Sequence, residues 1–309
     1  MEEFVKKLLV ELKKKTGDKY TIGVNKVVKV NDVILHSINF IKKPINLSPN
    51  IYLEGLYEKY LEGYSIAEIA DRVIFLIENQ FVIVEDEEKI TEKMKNYQNA
   101  QNNIIVKLIN LKKSRRFLRD KVYKPFNDLA IVLYVMVRQD SEGILSVAIT
   151  EDIMKQWGVS LDKLMEQAMN NMYEKFPLKT ESLNSIMADL ADDLDIDFES
   201  EEEEDLSETD RVYVMTNETK MNGAVSILYK GALENFALEF GVQEVIIVPS
   251  SCHEVLLIPK DGNGRVDERK FREMLREINE NGVDPIEILS NNIYIYDCET
   301  DKITIWDEE

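Results

Sequence analysis

The chain has 309 residues, 44% hydrophobic and 31% charged, which is a globular balance with room for one large or two ordinary domains. Its net charge of −20 is uneven: residues 1–128 hold 23 Lys+Arg and 18 Asp+Glu, leaving 15 of the 38 basic and 40 of the 58 acidic residues, a net −25, for the rest. Such acidity sets the C-terminal part against nucleic acid and suits a basic protein surface, and two cysteines, Cys252 and Cys298, are too few for a disulfide framework.

Residues 1–15 place Phe4, Val5, Leu8, Leu9 and Leu12 on one helical face. Charge runs through this segment and no small-residue cleavage site follows, so a cytoplasmic chain without a secretory signal is expected. The β-branched stretch Tyr20–Lys43, split at Asn31-Asp32, predicts a strand, a turn and a second strand. Ser48-Pro49 predicts the start of a helix carrying Tyr52, Leu53, Leu56, Tyr57 and Tyr60 and ending at Gly63. Ser65 with Glu68 reads as a capping box opening the next helix.

The spacing from Glu87 to Phe117 predicts a long helix. A basic patch of Lys107, Lys112, Lys113, Arg115, Arg116 and Arg119, continued by Lys121 and Lys124, falls in and after it. It fits either a phosphate or nucleic-acid surface or a solvated face paired with the acidic half. Aromatic residues are nearly absent from it, which favours the solvated face. The longest apolar run, Leu129–Val137, is nine residues, too short to span a bilayer as a helix, which takes roughly 20. It predicts a buried strand, paired with Ile144–Ile149 across a polar turn. Thr150 and Ser160 then cap two helices, the first stopping at Gly158.

Residues 189–210 hold 13 acidic residues and no basic one, and are expected to be a disordered insertion. Val212–Thr216 predicts a strand, with Ala224–Tyr229 as its hairpin partner. A helix to Phe240, strands at Val245–Val248 and Val255–Ile258, an amphipathic helix over Asp267–Asn279 and a final hairpin follow. Strands and helices thus come in pairs, predicting an α+β fold: a helical N-terminal half, then a mixed, largely antiparallel sheet flanked by helices. The expected division is a mostly helical domain at 1–125 with an N-terminal β-hairpin, and an α+β domain at 126–309 interrupted by the acidic insertion.

The turn Ser250, Ser251, Cys252, His253 and Glu254 holds every residue type that nucleophilic catalysis needs. Adjacent side chains in a strand or tight turn point apart, and the flanks lack the Gly-x-Ser-x-Gly elbow. Catalysis by these neighbours is therefore not expected. A zinc site from Cys252, His253 and Cys298 lacks a spaced cysteine pair. Asp261, Asn263 and Asp267 sit at calcium-loop places, but Pro259 and Lys270 stand where the strongest carboxylates belong, so a glycine-rich turn is the simpler expectation. Neither a dinucleotide fingerprint nor a Walker sequence occurs, so no cofactor is expected.

The blocks YLEGLYEKYLEGYSIAEIA, IIVKLINLKKSRRFL, FNDLAIVLYVMV, ITEDIMKQWGVSLDKLMEQAMNN, GAVSILYKGALENFALEFG, VPSSCHEVLLIP and LSNNIYIYD resemble an uncharacterised family of cytosolic proteins from gut clostridia and their mobile elements, over roughly Asn46 to Trp306. More remotely, the order from FNDLAIVLYV through PSSCHEVLL is similar to the YtpQ-like family of Gram-positive bacteria. That family carries Arg-Asp where this chain has Cys252-His253-Glu254. The resemblance implies a cytosolic protein and assigns no reaction. The leading expectation is a non-enzymatic interaction protein whose acidic half binds a basic macromolecule. The alternatives are a hydrolase-like enzyme on the Ser250–Glu254 turn and nucleic-acid binding through residues 107–124.

Overall fold

The computed structural model describes residues 1–41, 50–80, 84–140, 143–193, 212–249, 251–260 and 268–306. It is α+β, and every strand pair among the described residues is antiparallel.

The N-terminal unit is built on α1 (Glu2–Thr16), β1 (Thr21–Val28), β2 (Ile34–Ile41), β3 (Ile51–Tyr52), α2 (Glu54–Leu61) and α3 (Ile66–Gln80). Phe4, Leu8 and Leu12 lie fully buried against Ile38 and Phe40 of β2 and Ile69, Val73 and Ile77 of α3. The β1–β2 hairpin turns at Asn31 and Asp32, both in left-handed backbone (φ 57° and 53°). Asn and Asp tolerate that region, and two such residues make the tight turn whose twist matches the strands. The Ser65 capping box forms: the Ser65 N–H donates to Glu68 Oε2 at 2.9 Å, and the Glu68 N–H donates back to Ser65 Oγ at 3.3 Å. The expected Ser48-Pro49 start lies outside the described residues; α2 begins at Glu54.

Two short helices follow, α4 (Val84–Met94) and α5 (Tyr97–Ala100). The chain then enters β4 (Ile104–Asn110), not the helix expected through Phe117. Six of the seven β4 residues are buried, on both faces, so the run Ile-Ile-Val-Lys-Leu-Ile-Asn forms a covered edge strand of its sheet rather than one stripe of a helix. It pairs with β6 (Leu129–Asp140), whose other edge is shared end to end by β5 (Tyr123–Phe126) and β7 (Gly143–Ala148). The boundary expected at 125 falls inside this sheet. Of the two main hydrophobic clusters, one runs to Ile77 and the other from Met94 onward, joined by Val30 of the N-terminal hairpin.

Helices α6 (Glu151–Trp157) and α7 (Leu161–Lys175) start on their predicted caps: Thr150 Oγ1 accepts from the Ile153 N–H and Ser160 Oγ from the Lys163 N–H, each at 3.3 Å. Next come β8 (Leu178–Ser182) and α8 (Leu183–Asp193), so the acidic stretch opens on a helix; its remainder lies outside the described residues. The second sheet has six strands in the order β13 (Lys302–Ile305), β12 (Tyr294–Asp297), β10 (Glu244–Val248), β11 (Val255–Lys260), β9 (Tyr213–Asn217) and β8. The expected partner of β9 at 224–229 is instead part of a 3-10 turn over Gly223–Leu228, buried at Gly223 to Ile227. Those residues pack under the sheet as a plug, with α9 (Ala232–Phe240) after them. On the far face, Ile246, Val248 and Ile258 meet Leu275 of α10 (Glu268–Asn281). The six-stranded sheet is thus covered on both sides.

Candidate functional site

Between β10 and β11 the chain turns through Pro249–Glu254, the stretch whose residue types drew attention in the sequence. Segments remote in sequence hold this turn. The Cys252 N–H donates to the Glu287 carbonyl at 2.9 Å, and the Ser290 N–H donates to the Pro249 carbonyl at 3.2 Å. From the other side the Ala224 N–H donates to the Cys252 carbonyl at 3.2 Å, and Thr216 Oγ1 donates to the His253 carbonyl at 2.7 Å. Gly223 is required here: a Cβ at this position would collide with Thr216 Oγ1 and the His253 carbonyl.

The imidazole of His253 is fixed at both nitrogens. Nδ1 accepts the Asn222 N–H at 3.3 Å, and Nε2 stands 3.3 Å from Glu287 Oε1. Accepting at Nδ1 places the proton of the neutral ring on Nε2, aimed at the carboxylate. A hydrolytic triad also has one nitrogen oriented by an acid, but its other nitrogen faces the nucleophile, the place taken here by the Asn222 N–H. Ser251 is buried, and its Oγ accepts the His253 N–H at 2.8 Å. No hydrogen bond joins the His253 ring to Ser251 or Cys252 among the described residues.

Lys107 enters the same place from β4. It sits opposite Val132 in the ladder, so Tyr134 is its diagonal neighbour on the same face. The amine lies 4.8 Å from the Tyr134 ring centroid and has no hydrogen-bond acceptor among the described residues. Burial lowers its pKa below the ordinary lysine value; Cys252 partly opposes this and Lys29 adds to it. Burial also pushes the Cys252 thiol up to about 12, with the Glu287 charge adding and Lys107 opposing. That thiol is protonated at neutral pH and is a poor nucleophile there. Burial raises the Tyr134 phenol as well.

Together these groups line a cavity of about 470 Å³, within the range of small-molecule sites. Lys107 and Tyr134 form one wall, Cys252, His253 and Asn222 a second, Glu287 with Ile286 and Ile288 a third. The β1–β2 turn completes it with Lys29 and Val30. That turn is pinned: Asn31 Nδ2 donates to the carbonyls of Pro285 and Ile288, both at 2.8 Å, and the Asn31 N–H donates to Ser114 Oγ at 2.9 Å. The Asp32 carboxylate accepts from the N–H groups of Arg116 and Phe117, each at 2.9 Å at closest. The cavity therefore lies where the N-terminal hairpin meets both sheets.

The other sequence candidates fall elsewhere. Ser250, Asp261, Asn263 and Asp267 lie outside the described residues. Glu254 is partly buried just before β11. Cys298 does not meet Cys252: its Sγ is 3.8 Å from the Val242 carbonyl, at the opposite end of β10. Among the described residues no group of three or more His, Cys, Asp or Glu side chains could hold a metal ion. The basic patch divides. Lys107 faces the junction cavity, while Lys112, Lys113, Arg115, Arg116 and Arg119 follow β4 in turns. Lys112, Arg115 and Arg119 border a second, open cavity of about 450 Å³ with Lys121 and Glu151. Glu287, Tyr134, Asn222 and Lys29 carry no local signal, since each acts only as a partner across the fold.

No helix among the described residues is long and apolar enough to cross a membrane. No curated protein and no solved structure matches the chain. A family model does match, over residues 1–298, beginning upstream of the blocks that carry the sequence resemblance. With all of the fold but the edge strand β13 inside that match, the chain belongs to the family of unknown function DUF5688.

Proposed function

We propose that this protein binds a small molecule in the junction cavity, one with an apolar body and a single anionic group. The observation that carries the reading is the Lys107 amine, held in the cavity wall over Tyr134 with no acceptor among the described residues. Lys29 and Lys107 share the cavity lining with one carboxylate, Glu287, so the lining carries an excess of basic side chains inside a chain of net charge −20. A carboxylate or similar anion would complete that balance, and ion pairing would repay the desolvation of the amine. The His253–Glu287 pair and the Asn222 N–H give the wall a fixed polar pattern for orientation.

Anilinonaphthalene sulfonate has the required shape, an aromatic body with one anion. Fluorescence titration of the full chain is expected to show one saturable site. Replacing Lys107 by Met removes one charged hydrogen bond of about 1.5–3 kcal/mol, a roughly ten- to hundred-fold loss of affinity. Unchanged binding by a folded Lys107→Met variant would overturn the reading.

A second reading rests on charge. The net −25 of residues 129–309 supports binding of a basic macromolecule by that half. A defined lysine-rich peptide is expected to bind at low salt and to be released as salt screens the attraction. Failure to bind at low salt would remove it. The hydrolase alternative has less support, because both His253 nitrogens are committed to Asn222 and Glu287.

A further inference from the structure

We propose that Lys107 is a covalent anchor: its amine forms an imine with an aldehyde or ketone ligand in the junction cavity. This rests on the reading of that cavity as a ligand site and names the substrate class.

Three features of the geometry support it. The amine reaches the cavity from β4, a strand whose other residues are buried on both faces, so the backbone that carries it is held in place. It meets an aromatic face and no carboxylate, so nothing among the described residues holds it as an ammonium ion pair. An acid–base group lines the same cavity: Glu287 takes His253 Nε2 on one oxygen, and its other oxygen has no partner among the described residues. The lowered pKa of the amine agrees with this, because only the neutral amine adds to a carbonyl.

The steps balance. The neutral Lys107 amine donates its lone pair to the carbonyl carbon; a C–N bond forms and the C–O π bond breaks. The oxygen takes up a proton and the nitrogen loses one, giving a carbinolamine. Glu287, which lines the same cavity, is the carboxylate available to carry that proton. Protonation of the carbinolamine hydroxyl then lets it leave as water, and the nitrogen lone pair forms the C=N bond. No redox step occurs. Cys252, whose thiol stays protonated, is not required.

The test traps the imine. The full chain is treated with glyoxylate, a small aldehyde bearing one carboxylate, and sodium cyanoborohydride at mildly acidic pH. Hydride from the reagent reduces the imine to a stable carboxymethyl amine, read at each lysine by peptide mass spectrometry. Ordinary lysines, with pKa near 10.4, are almost wholly protonated under these conditions, and each unit of depression raises the neutral fraction about ten-fold. Lys107 is expected to react faster than exposed Lys112 and Lys113, with the preference lost in urea. Lys107→Arg keeps the charge and serves as the negative control. Lys107 reacting no faster than Lys112 and Lys113 would overturn the proposal. In that event anilinonaphthalene sulfonate binding in the same sample separates two failures. If binding persists, imine chemistry alone is wrong; if binding is also absent, the ligand site is wrong too.

Discussion

His253 meets Glu287 across 34 residues of sequence, Nε2 to Oε1 at 3.3 Å, while the neighbouring Cys252 N–H donates to the Glu287 carbonyl at 2.9 Å. One residue thus holds the turn by its backbone and the imidazole by its side chain. Within the turn Ser251 Oγ accepts only the His253 backbone N–H, while the His253 ring faces partners supplied by other segments.

Thiol reactivity reports that arrangement. The Glu287 charge raises the Cys252 pKa and Lys107 lowers it. In a Cys298→Ser background, Glu287→Gln is therefore expected to shift the pH profile of Cys252 alkylation downward from about 12. A profile unmoved or shifted upward would contradict the geometry.

Gly223 provides a steric test. Gly223→Ala forces a methyl group against Thr216 and the His253 carbonyl, and overpacking of this kind costs about 1–3 kcal/mol. Gly55, in α2, has nothing within 4 Å of a Cβ, so Gly55→Ala is expected to stabilise by about 0.5–1 kcal/mol. Urea midpoints of the two variants should move in opposite directions.

The hairpin turn separates backbone conformation from docking. Asn31→Gly keeps the left-handed conformation but loses both carbonyl contacts of the side chain, at about 0.5–1.5 kcal/mol each. Asn31→Ala loses the same bonds and also strains φ. The expected order of stability is wild type, then Gly, then Ala. Equal stability of wild type and Asn31→Gly would show that the turn does not depend on docking against Pro285 and Ile288.

Alkaline pH probes the buried acids. The Tyr294 hydroxyl donates to Asp128 Oδ1 at 2.6 Å, and Ser290 and Asn292 donate to Oδ2. Burial first, then the Asp128 charge, raises the Tyr294 pKa; burial likewise raises Tyr134, Tyr229 and Tyr296. Above about pH 10 the unfolded chain releases phenolic protons that the folded chain retains, so stability falls as pH rises. The contribution is fully present below that pH. Tyr294→Phe is expected to flatten the fall, measured as urea midpoint against pH from neutral to 11. An unchanged slope would contradict the assignment.

Much of the fold is legible in the sequence because local chemistry and tertiary structure agree. Asn31-Asp32 turns where its residue types allow positive φ, and Ser65, Thr150 and Ser160 cap their helices. The departures have a common cause. Ile104–Asn110 is a short apolar run between polar helical segments, and periodicity alone does not separate a buried strand from a helix there. Ala224–Tyr229 has strand-like composition, yet the close approach of the His253 carbonyl to Gly223 fixes a 3-10 turn. The site was half visible: Cys252 and His253 stand out together, but Glu287 reaches them through an isolated bridge of Ser251 with Ile288, and Lys107 from the other sheet, segments far apart in sequence.

The most direct measurement is the pKa of the Lys107 amine by NMR, in the free protein and with saturating anilinonaphthalene sulfonate. The account predicts a value below that of the exposed lysines in the free protein, rising when the bound anion favours the charged form. An ordinary lysine value, unmoved by the anion, would contradict it.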